Sequence, residues 1–156
     1  MTPALEQART AGIACTLHEY LHDPGAASYG LEAAEKLGLP PEQVFKTLVV
    51  KLDGRQLAVG VLPVTQQLSL KHIARAAGAK KAAMADPAEV ERVTGYVLGG
   101  VSPLGQKKRL ATFIDESARQ HATIHVSAGR RGLEIELAPG DLAALTDARF
   151  VSVAVN

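Results

Sequence analysis

Short apolar runs separated by polar segments predict β-strands along much of the chain. The strongest run spans residues 44–50 and carries one cation, Lys46, in its middle. Since successive side chains of a strand point to opposite faces, Lys46 shares a face with Val44, Leu48 and Val50. An ammonium group among aliphatic side chains is costly unless it reaches water, a carboxylate or an anionic ligand. A lysine whose head extends into solvent and a lysine that protects an edge strand are the ordinary alternatives.

Capping residues and glycines predict where the helices begin and end. Thr2-Pro3 is typical of a helix start, and Gly12 is typical of a helix end. Ser28, Ser69 and Asp86 begin further helices in the same way. The predicted helices cover residues 2–12, 31–37, 69–78, 86–95 and 139–145, with another helical piece after residue 115.

The strand pattern predicts the fold class. Asp53-Gly54 is a strong hairpin signal that joins the run at 44–50 to an antiparallel partner at 56–62. Further strands are predicted at residues 13–20, 110–114, 123–126, 133–137 and 149–155. The hairpin and the close spacing of the strands argue against a doubly wound parallel sheet. They favour an α+β fold with a mixed, largely antiparallel sheet or barrel, and the length of 156 residues fits one domain over 1–156.

Composition limits the function classes. The net charge is only +1, so any contact with nucleic acid must be local, for example at Arg130-Arg131. A single cysteine excludes an internal disulfide and fits a reducing cytoplasm. No apolar run approaches the roughly 20 residues of a membrane helix, and the N-terminus lacks a signal-peptide layout. We therefore expect a cytoplasmic protein with no membrane contact.

The usual catalytic and metal signatures are missing. The 5 histidines are scattered, and neither HExxH nor paired CxxC occurs, so we expect no metal. In a strand Cys15 shares a face with the apolar Ile13 and Leu17, which predicts a buried and inert thiol. No nucleophile elbow, Walker loop or dinucleotide fingerprint is present, and we expect no cofactor.

Two glycine-bearing loops are candidates for chemistry. The loop at 99–105 combines three glycines, a proline and a serine within seven residues. Glycines let backbone amides approach a ligand closely, and such amides can stabilise a developing oxyanion. The turn at 127–132 adds a hydroxyl and two guanidinium groups. A plain strand-connecting turn is the alternative for each loop.

Taken together, these segments resemble the bacterial YbaK/EbsC family. The resemblance rests on FKTLV at 45–49, TGYVLGGVSPLGQKK at 94–108 and SAGRRGL at 127–133, with DP at 23–24 and EAAEKLG at 32–38. The resemblance covers the chain from about residue 2 to the C-terminus, and the segments occur in the same order as in the family. The best-described members are cysteinyl-tRNA(Pro) deacylases, and the wider superfamily includes the editing domain of prolyl-tRNA synthetase.

The resemblance implies a fold and a set of site residues. The expected fold is a mixed, mostly antiparallel, partly closed barrel of six or seven strands with flanking helices. Lys46 would be the catalytic residue. The substrate-binding residues would be Tyr20, Tyr29, Thr47, Gly99, Gly100, Val101, Ser102, Pro103, Ser127 and Gly129. Tyr29 stands where the family commonly has phenylalanine, so its hydroxyl is an addition.

The resemblance also implies an activity and its partners. The expected enzyme is a trans-editing hydrolase that removes cysteine from mischarged Cys-tRNA(Pro), with the CCA end in the site and prolyl-tRNA synthetase as a partner. In the family, the thiol of the substrate is proposed to attack its own ester, and Lys46 would anchor a phosphate or polarise the ester. Alternatives are a deacylase for Ala-tRNA(Pro) or for a broader range of misacylated tRNAs, and a non-catalytic module that binds tRNA or a synthetase.

Overall fold

The Asp53-Gly54 turn joins the two longest strands of the protein, as the sequence predicts. In the computed structural model, which describes residues 1–156, β2 (Phe45–Leu52) and β3 (Gln56–Pro63) pair in antiparallel register. Asp53 and Gly54 both have positive φ, 51° and 68°, as the tight hairpin requires. The strand that carries Lys46 lies between β3 and β5 (Ala82–Met84), but β5 pairs only with residues 50–52, so at Lys46 the strand is paired on one side, with β3.

Four helices begin at the predicted capping residues Thr2, Ser28, Ser69 and Asp86, and three of them end at the predicted glycines Gly12, Gly38 and Gly95, whereas the third helix ends at Ala77 and not at Gly78. Thr2 Oγ1 accepts a hydrogen bond from Leu5 N at the start of α1, and Gly12 ends that helix in the left-handed region. The five helices are α1 (Pro3–Ala11), α2 (Tyr29–Leu37), α3 (Leu70–Ala76), α4 (Pro87–Thr94) and α5 (Pro139–Thr146). None of them has the length and apolar character needed to cross a lipid bilayer.

The strands form three sheets. The remaining strands are β1 (Cys15–Glu19), β4 (Gln67–Leu68), β6 (Ala111–Asp115), β7 (Ile124–Ser127), β8 (Leu133–Leu137), β9 (Arg149–Val151) and β10 (Ala154–Val155). Five strands are ordered β5-β2-β3-β6-β9, three are ordered β1-β8-β7, and β10 pairs with β4. Only β3–β6 and β6–β9 are parallel, which confirms the mixed, mostly antiparallel α+β fold.

The two larger sheets share one hydrophobic core but do not form a continuous ladder. Val49 and Ile114 from the five-stranded sheet pack in the same buried cluster as Val126 and Ile135 from the three-stranded sheet. Between the sheets, Val44 makes a single bridge with His125 at the start of β2. Closure into a barrel of six or seven strands is not found as one hydrogen-bonded structure, and it stays a prediction.

The expected burial of Cys15 is wrong. Cys15 is exposed, and Leu17 is 45% exposed. Both lie opposite buried residues of β8, Leu137 and Ile135, so they are on the core-facing side of the sheet. However, β1 is the outer strand of that sheet, and the core ends before it reaches β1. The alternation predicts the face correctly, whereas the position of the strand at the edge is not visible in the sequence.

Candidate active site

A cavity of about 250 Å³ lies between the start of β2, the start of α2, the glycine loop, the end of β7 and the start of β8. Of its 14 lining residues, 7 are hydrophobic. The lining consists of Tyr20, Ala27, Ser28, Tyr29, Gly30, Phe45, Lys46, Thr47, Leu48, Leu98, Gly99, Val101, Ser127 and Glu134. The chain segments that carry these residues are far apart in sequence, so only the fold brings them together.

Seven residues that the sequence singles out line this cavity. They are Lys46, Tyr20, Tyr29, Thr47, Gly99, Val101 and Ser127. The other four, Gly100, Ser102, Pro103 and Gly129, do not line it. Their roles in substrate binding stay predictions, and the structure shows what each does locally.

Those four residues shape the loops behind the cavity wall. Gly100 donates its N–H to Val97 O, and a side chain there would meet the backbone of Arg130 at 2.9 Å. Ser102 is fully buried, and its Oγ accepts a hydrogen bond from Leu104 N.

Pro103 and Gly129 also lie outside the cavity lining. Pro103 lines a separate cavity beside α5, together with Leu145 and Thr146. Gly129, with φ of 111°, donates its N–H to Ser127 Oγ and packs against Tyr96.

Lys46 is a half-buried cation with no partner inside the chain. Its neighbour on the same strand, Lys51, forms an ion pair with Glu89 at 3.0 Å, but Lys46 forms none. Burial alone lowers the pKa of the Lys46 ammonium below its usual value. An unpaired ammonium in a cavity wall is suited to binding an anionic or strongly polar ligand group.

Glu134 is the charged cavity residue that sequence reasoning missed. It lies on β8 directly opposite Ser127 on β7 and His18 on β1, and it is 7% exposed. Burial raises the pKa of the Glu134 carboxyl to about 8. The only signal in the sequence is the alternation of two glutamates with apolar residues at 133–137, which is typical of a half-solvated strand.

Hydroxyl groups supply further polar contacts. Thr47 Oγ1 is buried and has no hydrogen-bond partner in the chain. Burial first, and then the negative charge of Glu134, raises the pKa of the Tyr20 hydroxyl to about 12. Tyr20 therefore keeps its proton at neutral pH and can donate a hydrogen bond to a ligand.

Arg131 fixes the glycine loop against Tyr29. Its Nε and Nη2 donate to Leu98 O at 2.9 and 2.6 Å, and its guanidinium carbon lies 4.6 Å from the centre of the Tyr29 ring. A Cβ on Gly99 would lie 2.8 Å from both Arg131 Nε and the Tyr29 ring, so only glycine fits there. The N–H groups of Gly99 and Val101 donate to no acceptor within the chain, unlike the N–H of Gly100. Both residues line the cavity, so their free N–H groups are candidate donors to a ligand.

A buried carboxylate anchors the segment that leads into α2. Glu32 accepts a hydrogen bond from Asp23 N at 2.6 Å, interacts with His22 Nδ1 at 2.7 Å and pairs with Lys36 at 3.1 Å. Burial raises the pKa of Glu32, but the hydrogen bonds from Asp23, His22 and Lys36 outweigh burial and lower it to about 2. This cluster holds the chain that carries Ser28 and Tyr29 into the cavity wall.

Two of the scattered histidines meet in the fold. Potential ligand atoms of His18, His125 and Glu136 lie within 4.8 Å of one another on three neighbouring strands. His18 Nε2 and Glu136 Oε1 are 2.9 Å apart, and Glu136 also accepts a hydrogen bond from Thr123. His18 and Glu136 are thus joined by a hydrogen bond, whereas His125 Nδ1 is buried and has no partner in the chain. The expectation that the protein binds no metal stays a prediction.

The cavity combines a cation, a carboxyl group, hydroxyl donors and free backbone amides. This set can hold a polar ligand and stabilise negative charge on a carbonyl oxygen. No hydrogen-bonded pair of nucleophile and base lines it, because Ser127 Oγ interacts with Gly129 N rather than with a histidine. The arrangement suits a reaction whose nucleophile comes from water or from the substrate.

Residues 23–145 match the family model described as the aminoacyl-tRNA editing domain. The chain belongs to this family. A similar protein from Enterococcus faecalis is EbsC, named as a proposed Cys-tRNA(Pro)/Cys-tRNA(Cys) deacylase. It is 43% identical over 120 residues, which cover 77% of this chain and 73% of EbsC.

A second relative has a different named specificity. The Escherichia coli protein ProXp-y, a multifunctional Ser/Thr-tRNA deacylase, is 34% identical over 76 residues. That match covers 47% of this chain and 46% of ProXp-y.

Solved structures share the fold. A crystal structure of a proposed trans-editing enzyme for prolyl-tRNA synthetase has a TM-score of 0.84 at 24% identity, covering 100% of this chain and 99% of the other. A crystal structure of a hypothetical protein has a TM-score of 0.88 at 23% identity, covering 99% and 100%. At these identities the likeness establishes the architecture alone.

Proposed function

We propose that this protein is a trans-editing hydrolase that deacylates mischarged Cys-tRNA(Pro). One observation carries the proposal: in a member of the editing family, Lys46, Gly99 and Val101 line one cavity, and the N–H groups of Gly99 and Val101 have no acceptor within the chain. The substantial identity to EbsC supports cysteine as the amino acid. The terminal adenosine of the CCA end would lie at the mouth of the cavity, with the aminoacyl ester inside.

Each group of the cavity has a place in this reaction. An aminoacyl ester is already activated, so its hydrolysis needs a positioned nucleophile and donors for the tetrahedral oxyanion. The amides of Gly99 and Val101 supply those donors. Lys46 adds positive charge, either to the ester carbonyl or to the phosphate of the terminal nucleotide.

The nucleophile in our proposal is the thiol of the cysteinyl group itself. Its sulfur attacks the ester carbonyl carbon and the C–O bond breaks. The thiol proton goes to the departing ribose oxygen, which releases tRNA and a cyclic thiolactone that water then opens. The cavity holds no activated nucleophile of its own, which agrees with this route. Alanine has no thiol, so Ala-tRNA(Pro) would react slowly.

The finer expectations about partners and architecture belong to the same proposal. We propose that residues 1–156 act as one editing domain in the cytoplasm, with the two larger sheets curved around the cavity as a partly closed barrel. The bridge between Val44 and His125 supports that curvature. Because the net charge is only +1, we propose local contact with the CCA end and delivery of tRNA by prolyl-tRNA synthetase.

A broader specificity is the second candidate. The similarity to ProXp-y favours it, because that relative is named for serine and threonine. A non-catalytic module that binds tRNA or a synthetase is the alternative from another class. Such a module would shift the mobility of tRNA in a gel yet leave the ester intact.

The test is release of labelled amino acid from purified Cys-tRNA(Pro), Ala-tRNA(Pro) and Ser-tRNA under single-turnover conditions. We expect rapid loss of cysteine and slow loss of alanine and serine. Faster release of alanine would refute the substrate-thiol route. Stable esters on all three tRNAs, together with a gel shift, would refute an enzyme and favour a binding module.

A further inference from the structure

Glu134 is the only carboxyl group that lines the cavity, and nothing in the chain neutralises it. It is buried, yet it forms neither an ion pair nor a hydrogen bond through its side chain. By contrast, Glu136, on the same face of β8, interacts with His18 and Thr123. A buried carboxyl group without a partner is costly, and that cost is removed when a cationic ligand arrives.

The charged neighbours do not supply that cation. Lys46 lines the same cavity, but its ammonium forms no ion pair with the Glu134 carboxyl. His18 lies opposite Glu134 on β1, but its Nε2 is 2.9 Å from Glu136. Tyr20, the other group near Glu134, carries no positive charge.

We propose that Glu134 binds the α-ammonium group of the aminoacyl ester. This inference rests on the proposed function, because an aminoacyl ester is the ligand that brings an ammonium group next to an ester carbonyl. Lys46 repels that ammonium and attracts the carbonyl oxygen or a phosphate. The two opposite charges would therefore orient the substrate, with its amino group toward β8 and its ester toward β2.

The ionisation of Glu134 is consistent with this arrangement. Burial raises the pKa of Glu134 to about 8, which favours the neutral carboxyl at pH 7 as long as no cation contacts it. An ammonium group in contact favours the ionised carboxylate, so binding releases the proton of Glu134 to solvent.

The consequence is selectivity for a free amino group. A substrate whose nitrogen is acylated, as in N-acetyl-Cys-tRNA or in a peptidyl-tRNA, offers no cation to Glu134. When such a substrate binds, the Glu134 carboxyl stays buried and unpaired. The enzyme would therefore cleave N-acylated substrates slowly. Glu134 would then be a specificity-determining residue that separates misacylated tRNA from nascent chains.

The test compares Cys-tRNA(Pro) with N-acetyl-Cys-tRNA(Pro) in four proteins: wild type, Glu134→Gln, Glu134→Asp and the control Glu136→Gln. For the wild type and the control, kcat/KM should be at least about 10-fold higher for the free-amino substrate, the usual effect of a hydrogen bond to a charged group. Glu134→Gln should lose this preference mainly through slower cleavage of Cys-tRNA(Pro). Glu134→Asp keeps the charge and should retain part of the preference. Thermal unfolding of each variant shows that it is folded.

The outcomes separate the inference from the proposed function. If wild type cleaves both substrates equally, or if Glu134→Gln slows both by the same factor, the ammonium site is refuted while the deacylase function stands. If wild type cleaves neither, the proposed function fails and this inference fails with it.

Discussion

Replacing Gly99 with alanine should lower stability and activity by more than the strain of a positive φ alone would cause. Gly99 has φ of 84°, and an added Cβ would lie 2.8 Å from Arg131 Nε and from a carbon of the Tyr29 ring. Ordinary contacts between carbon atoms are about 3.5–4.0 Å, so the ring or the loop must move by roughly 1 Å. Backbone strain contributes about 1–2 kcal/mol, and overpacking adds about 1–3 kcal/mol.

Gly54→Ala is the matched control. Gly54 also has positive φ, 68°, but no atom lies within 4 Å of the position that a Cβ would take there. The free energy of unfolding of this variant should fall only by the backbone strain of about 1–2 kcal/mol, and its activity should not change. For Gly99→Ala we expect the larger loss of unfolding free energy and a fall in kcat/KM of up to about 100-fold, because groups misplaced by about 1 Å can cost that much.

Urea denaturation and single-turnover deacylation of Cys-tRNA(Pro) measure the two effects. The reasoning about the wall would be refuted if Gly99→Ala and Gly54→Ala had equal unfolding free energies and equal kcat/KM. If the two variants were equally stable but only Gly99→Ala had reduced activity, the loop would have moved at little energetic cost, and its position would still matter for the substrate.

Three further predictions concern the residues around the cavity. Glu32→Gln should lower the free energy of unfolding at pH 7 by about 1–3 kcal/mol, since it weakens a buried charged network. Because the pKa of Glu32 falls from 4.5 to about 2 on folding, the ionised carboxylate contributes fully to the free energy of unfolding above pH 4.5, and this contribution is lost between pH 4.5 and 2. In that window, urea titrations should show a weaker pH dependence of the unfolding free energy for Glu32→Gln than for the wild type. Tyr29→Phe should keep full turnover, because the ring and not the hydroxyl contacts Arg131; a large loss of kcat/KM would assign a role to the hydroxyl. Cys15→Ser should deacylate Cys-tRNA(Pro) at the wild-type rate, since Cys15 is exposed and outside the cavity. Loss of activity in a folded Cys15→Ser protein would indicate that the Cys15 thiol is the nucleophile.

The features that the sequence predicts well are those set by neighbouring residues. Asp53-Gly54 gives the hairpin and Thr2-Pro3 gives the first helix, because turn and cap preferences act within a few residues. Lys46 stands out because a cation in an apolar run is unusual at any position in a fold. The glycine loop is recognisable by its composition and by the family resemblance together.

The features that escape prediction depend on strands that meet from distant parts of the chain. Glu134 looks like a solvated strand residue until β7 and β1 pair on either side of β8 and place it in the cavity. Cys15 alternates like a core residue, yet its strand is the outer one of the sheet. The free amide of Val101 and the bonded amide of Gly100 are adjacent in sequence, and only the turn conformation distinguishes them.

The most direct test of the central claim is the rate of cysteine release from Cys-tRNA(Pro) by wild type, Lys46→Ala and Lys51→Ala. Both lysines lie on β2, but Lys51 pairs with Glu89 outside the cavity, so its removal controls for loss of a strand cation. The account predicts that Lys46→Ala folds normally and loses deacylation, whereas Lys51→Ala stays active. Full turnover by a folded Lys46→Ala protein would contradict it.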